Sequence, residues 1–327
     1  MSHFDLSIKG TEGIDVLSGT LGDDSIFGFG GDDQVDGLAG SDYIHGGNGN
    51  DSLRAGGEWS IGYGGTPPDP GPDGNDTVFG GEGNDTISGG RGNDLLRGWR
   101  GNDCIFGERG DDWIWVGRGN DSLYGESGGG RDTIRVNPGQ GFGNDHIFGD
   151  GGDDYIVGDS HLTVYDGSTT YTSYNESFVG GDDDLRGGSG DDVIAGGFGD
   201  DFIDGGPGND FISVDQGTVS VNMRGGRYTV YGGPGADTFS ISTNVSHGWS
   251  DRFGLDGDKD YMRIKDFSRK QGDIIKLTYT IGSYSTEYCR GNTYLYDAGH
   301  DLLAIVEGKN LALGSGAFAF GTYTLPT

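Results

Sequence analysis

The sequence predicts an all-β fold in which very short strands, each preceded by a tight turn, stack on copies of themselves. Three observations carry this expectation. Aspartate recurs every nine residues through long stretches of the chain, an apolar residue stands two places after each of them, and glycine makes up 71 of 327 residues. That is about three times the usual ~7 %.

The repeating unit is written here G1-G2-x3-G4-x5-D6-x7-U8-x9, with U apolar. Its sixth position is occupied by Asp15, Asp24, Asp33, Asp42, Asp51, Asp76, Asp85, Asp94, Asp103, Asp112, Asp121, Asp132, Asp145, Asp154, Asp183, Asp192, Asp201, Asp210 and Asp237. The eighth position is Leu17, Ile26, Val35, Ile44, Leu53, Val78, Ile87, Leu96, Ile105, Ile114, Leu123, Ile134, Ile147, Ile156, Leu185, Ile194, Ile203, Ile212 and Phe239. All nineteen are apolar in a chain that is 32 % hydrophobic, a pattern that chance does not produce.

A strand alternates its faces with period two. In x7-U8-x9, therefore, only the middle side chain turns inward. Three residues make no stable strand alone, but stacked copies bury a continuous apolar column. The six residues before them form the turn, where glycine adopts positive φ without steric cost. Two turns and two strands complete a coil of eighteen residues, so turns n and n+2 lie on one edge, about one ~4.8 Å strand spacing apart.

Charge completes the argument. There are 21 basic and 52 acidic residues, a formal net charge of -31, and unpaired carboxylates repel one another. Nucleic acid and anionic membranes are poor partners for such a chain. A hard divalent cation between stacked turns reverses the sign of the interaction. Calcium accepts six to eight oxygens from carboxylates and carbonyls alike, and glycine turns expose both, whereas magnesium demands a tighter octahedron. Pairing turns within unbroken runs gives nine sites; pairing straight through gives seventeen.

With units such as "GGEGNDTIS" and "GGRGNDLLR", the chain resembles the RTX family of haemolysin-type, calcium-binding nonapeptide repeats. The resemblance covers about residues 10–240. It implies a right-handed parallel β-roll (a β-solenoid) with multiple Ca2+ ions held by the position-6 aspartates and turn carbonyls. It also implies a bacterial protein, extracellular after type I secretion without a cleaved signal peptide.

The organisation that follows is an N-terminal arm (1–9), a roll (10–240) and a β-rich C-terminal cap (241–327). Insertions interrupt the roll at 55–73, 158–180 and 214–231, the last alternating like a β-hairpin. In the cap, 261–280 reads as two strands around a turn and 292–308 as a hairpin. The set Ile264, Asp266, Phe267, Gly272, Asp273, Ile275 and Leu277 resembles the region after the roll in RTX exoproteins. The uncharged tail "LALGSGAFAFGTYTLPT" is similar to a type I secretion signal. Units lacking the second glycine, such as "GFGGDDQVD", are expected to be weaker sites.

Other chemistry is sparse. No H-E-x-x-H pair occurs among the six histidines, which excludes that metalloprotease class. "GESGG" around Ser127 matches a nucleophile elbow in letters, but the glycines after it cannot form the required helix. Cys104 and Cys289 are expected to be free thiols, and no apolar run reaches ~18 residues, so no transmembrane segment is expected. Two functions stay open. One is a structural or ligand-binding role at the cell surface or in the matrix, toward a glycan, a cell-surface component or a small molecule. The other is a calcium-stabilised enzyme whose site lies in the insertions. Trp59, Tyr63, His161, Tyr165, Tyr171 and Tyr174 are the ligand-contact candidates for either.

Overall fold

The computed structural model describes residues 6–56, 74–125, 130–136, 143–158, 181–197, 200–213, 227–241, 261–277, 284–297 and 302–320. The chain divides into two compact units, the first running to Tyr155 and the second from Ile156. Every regular element among the described residues is a strand.

In the first unit, one parallel sheet runs β1 (Ser7–Lys9), β3 (Ser25–Gly30), β5 (Tyr43–Asn48), β7 (Thr77–Glu82), β9 (Leu95–Arg100), β11 (Trp113–Val116) and β13 (Thr133–Val136). The other runs β2 (Val16–Ser18), β4 (Gln34–Asp36), β6 (Ser52–Arg54), β8 (Thr86–Arg91), β10 (Cys104–Arg109), β12 (Ser122–Tyr124) and β14 (His146–Phe148). Successive strands thus alternate between sheets, as an eighteen-residue coil requires. This is a parallel β-roll. Ile105 pairs with Ile87 on one side and Leu123 on the other, so apolar residues lie on apolar residues. Of the nineteen position-8 side chains, all but Leu17 are buried, most of them completely.

Strands β3, β5 and β7 to β10 are six residues long, not three. Their ladders continue past position 9 into the turn, as in Gly81↔Trp99 and Glu82↔Arg100. The backbone of the glycine positions therefore also bonds coil to coil, and the true reversal is shorter than the six-residue motif.

The second unit contains β16 (Asp184–Arg186), β18 (Phe202–Asp204), β20 (Arg227–Tyr231), β22 (Tyr261–Ile264), β26 (Leu302–Val306), β25 (Asn292–Asp297) and β24 (Tyr284–Cys289) in one sheet. The other holds β17 (Val193–Ala195), β19 (Phe211–Ser213), β21 (Thr238–Ile241), β23 (Ile274–Leu277) and β27 (Phe318–Phe320). β15 (Tyr155–Val157) carries the chain across the unit boundary.

Three boundaries differ from the sequence expectation. The arm at 1–9 includes a roll strand, since Ile8 of β1 pairs in parallel with Ile26. Residues 227–231 are no hairpin strand: β20 pairs in parallel with β18 and β22, and Val230 stacks between Ile203 and Ile264. Residues 214–226 lie outside the described ones. Parallel coiling also continues past 240, through Ile264↔Val306 and Ile275↔Phe318. Coiling needs only an apolar side chain in register and a backbone to pair with, so it survives where the Gly-Asp motif is gone. β22 and β23 join different sheets, so 261–277 is an arch from sheet to sheet. The antiparallel β24-β25-β26 meander contains the expected hairpin at 292–308. Phe267 packs under the meander end of the unit against Phe239, with ring centroids 6.0 Å apart.

Candidate metal centres

Within the acid columns, a typical repeated aspartate does two things. Its backbone N–H donates to Oδ1 of the aspartate one coil further on: Asp15 to Asp33, Asp85 to Asp103 (3.0 Å) and Asp103 to Asp121 (2.8 Å) are examples. Its own Oδ1 accepts the same bond from the coil before. The ladder passes through the interruptions at 55–73 and 214–231 and through the looser spacing after Asp121. Asp51 donates to Asp85 across 34 residues, Asp121 to Asp145 across 24 and Asp210 to Asp237 across 27. Insertions therefore leave the roll from its turns without unstacking the acids on either side.

The second oxygen is the informative one. Oδ2 of Asp33, Asp51, Asp85, Asp103, Asp112, Asp121, Asp210 and Asp237 is buried and accepts no hydrogen bond. A buried polar atom without a partner costs on the order of 1–3 kcal/mol, more when charged. Their recurrence from coil to coil points to a missing common partner. Burial pushes the carboxyls up, with adjacent carboxylates adding to the rise against the lowering backbone N–H. Asp85, Asp103 and Asp121 reach about 7, and Asp112 and Asp210 about 8.

A turn carbonyl converges on the same point. A Cβ placed on Gly89 would lie 2.5 Å from Asp94 Oδ2 and 2.9 Å from the Gly107 carbonyl; on Gly107 it would lie 2.6 Å from Asp112 Oδ2 and 3.0 Å from the Gly125 carbonyl. At these units position 1 favours glycine, because a side chain would crowd the space that a carboxylate and a carbonyl of the next coil both face; Val116 holds that position in the Asp121 unit. No group of three or more His, Cys, Asp or Glu side chains converges among the described residues. The donors are mixed carboxylate and carbonyl oxygens, a hard set that fits calcium and not zinc or copper.

Position 2 takes positive φ in several units, with or without a side chain, though not at Thr11 or Thr20. Gly47, Gly81 and Gly90 do so, and so do Phe29, Leu38, Trp99 and Glu108, at φ 80°, 83°, 85° and 76°. Units without the second glycine keep the turn and pay in backbone strain.

Position 5 was legible and passed over as x5. It is Asn or Asp in most units, and it forms a second ladder outside the first. Asn102 N–H donates to Asn84 Oδ1 at 2.7 Å and Asn120 N–H to Asn102 Oδ1 at 2.9 Å. The recurrent "GND" and "GDD" triplets are its signal.

The second unit departs from the pattern in one coil. In register with Asp200 and Asp201 stand Arg227 and Tyr228. The Arg227 guanidinium pairs with Asp200 (2.8 Å), and the Tyr228 hydroxyl donates to the Gly197 carbonyl (2.5 Å). The other column of this unit, Asp192, Asp210 and Asp237, continues to Asp273, with Asp237 N–H donating to its Oδ1. Asp266 receives the N–H groups of Gly232 (2.9 Å) and Gly233 (2.8 Å), capping that turn.

Trp59, Tyr63, His161, Tyr165, Tyr171 and Tyr174 lie outside the described residues, as does Ser127. Cys104 and Cys289 are free thiols. No helix is long and apolar enough to cross a membrane among the described residues.

Comparison with known families agrees with this geometry. The RTX calcium-binding nonapeptide repeat matches residues 9–44, 28–58, 71–104, 105–134, 141–160 and 179–212. No curated protein matches the chain.

Proposed function

We propose, for a chain that belongs to the RTX calcium-binding nonapeptide repeat family and binds several calcium ions, that calcium switches it from an exportable coil to a rigid roll outside the cell. The column of buried, partnerless Oδ2 atoms carries this reading. Without a cation, folding would bury carboxylates on top of one another, and net charge -31 opposes compaction. Inside a cell, where calcium is scarce, the chain stays open and passes a type I exporter. At extracellular calcium, sites of about 10⁻⁴–10⁻³ M fill, and the binding free energy becomes folding free energy. The ligands are the position-6 aspartates from Asp33 to Asp237 together with the position-1 carbonyls. Circular dichroism during a calcium titration tests this. A cooperative gain of β signal at millimolar calcium, reversed by chelator, supports it; full order in excess chelator overturns it.

Once folded, the roll serves as a structural or ligand-binding element at the surface or in the matrix. One observation favours ligand binding. On the outer face of the first unit's β3-to-β11 sheet, Phe27 packs on Tyr43 (5.7 Å), Tyr43 on Phe79 (5.6 Å), and the Arg97 guanidinium lies 5.5 Å from the Phe79 ring centroid and 4.2 Å from that of Trp115. Trp113 beside it is 52 % exposed. Rows of aromatic faces with an intercalated cation suit sugar rings better than a featureless scaffold would. A glycan-binding screen of the calcium-loaded protein, repeated with Trp113→Ala, tests this, with binding lost in the variant as the supporting result.

A further inference from the structure

The turns of Asp15, Asp24 and Asp273 differ from those of Asp33, Asp51, Asp85 and Asp103 in the one atom that matters. Thr11 takes position 2 of the first unit and Thr20 position 2 of the second. Neither adopts positive φ, unlike Phe29, Leu38 or Gly47 at the same position. Each threonine instead turns its N–H and its hydroxyl onto the aspartate. Thr11 N–H and Oγ1 donate to Asp15 Oδ2 at 2.5 and 2.8 Å; Thr20 N–H and Oγ1 donate to Asp24 Oδ2 at 2.5 and 3.0 Å. At the other end of the motif, Ser268 N–H donates to Asp273 Oδ2 at 2.5 Å.

These three carboxylates are the outermost of their columns. In register with Asp24 one coil earlier stands Leu6, whose N–H donates to Asp24 Oδ1 (2.8 Å). One coil beyond Asp273, the β23–β27 pairing brings in Gly316, which has no side chain. At these three ends the chain places its own donors on the oxygen that has none in Asp33, Asp51, Asp85, Asp103 and Asp237. A carboxylate already holding two protein donors on one oxygen gives up those bonds to bind a cation, while a partnerless one gives up nothing.

We propose that Asp15, Asp24 and Asp273 take no calcium, and that Thr11, Thr20 and the Ser268 amide stand in for the ion and seal the ends of the calcium column. This rests on the calcium reading above and sets its limits. The ends of the repeat array then keep their turn geometry at calcium concentrations too low to fill the interior sites.

Native mass spectrometry of the full chain in calcium, with Asp24→Asn, Asp103→Asn and Thr20→Gly variants, tests the proposal. Asp24→Asn is expected to keep the wild-type calcium count, and Asp103→Asn to lose at least about one ion. Thr20→Gly restores the repeat consensus, removes the hydroxyl donor, lets position 2 take the positive φ at which the other turns place no N–H on Oδ2, and is expected to gain about one ion. A fall in count for Asp24→Asn, or an unchanged count for folded Thr20→Gly, overturns it. A wild-type chain that binds no calcium would instead overturn the family-based reading, so the two failures are distinct. Thr11→Gly repeats the gain test at an independent turn should Thr20→Gly fail to fold.

Discussion

At the scale of single residues, the calcium column turns on one oxygen per aspartate. Asp103 keeps its Oδ1 bonded to the Asp85 amide while Oδ2 waits for an ion. Asp103→Asn retains the amide acceptor and loses the charge. Thermal unfolding in millimolar calcium should therefore show a lower Tm than wild type, because the variant has lost the charge that holds the ion. A second residue-scale expectation concerns position 2. Trp99 holds φ 85° with a side chain 55 % exposed, so little packing offsets its strain. Trp99→Gly should stabilise the calcium-loaded roll by about 1 kcal/mol in denaturant titration. Loss of stability would mean that the indole packs on more than its exposure suggests.

At the scale of elements, each strand contributes one buried side chain, and its worth comes from the strands above and below. Ile105 is fully buried between Ile87 and Leu123. Ile105→Ala should cost about 2–5 kcal/mol in calcium, read from the shift of the denaturation midpoint. The coil is also a module. Deleting residues 95–112 removes two turns and two strands, after which Leu123 and Ile134 return to the same two sheets. The shortened chain should fold in calcium with an unchanged β spectrum and a lower calcium count, as expected of a solenoid stabilised by nearest neighbours. The strands whose parallel stacking the sequence did not reveal share one trait. Val230, Ile264 and Ile275 sit in register with the core, but their turns lack the Gly-Gly-x-Gly-x-Asp signature. The motif marks ion sites, whereas the roll itself needs only register.

At the scale of the molecule, the acid column links folding to both calcium and protons. Burial holds Asp112 and Asp210 near 8 and Asp85, Asp103 and Asp121 near 7 in the metal-free fold, all above the ordinary 3.8. The metal-free folded state thus binds more protons than the unfolded chain between about pH 4 and 8, and its stability falls as pH rises through that window. In chelator, order should increase as pH drops from 8 to 5, followed by circular dichroism. In calcium the trend reverses, because protons compete with the ion for the same oxygens. What the sequence determined by itself is the part governed by strict periodicity. The nine-residue spacing dictated the core column and the position-6 acids, because a two-sided coil reads out every ninth residue on the same edge. Tertiary structure alone decided which oxygens have partners. Thr20 and Gly47 occupy equivalent letters of the repeat, and only the path of the backbone aims the threonine donors at Asp24 and leaves Oδ2 of Asp51 without one. It also decided that the acid ladder would cross the insertions, because stacking is set by hydrogen bonds between coils and not by distance along the chain.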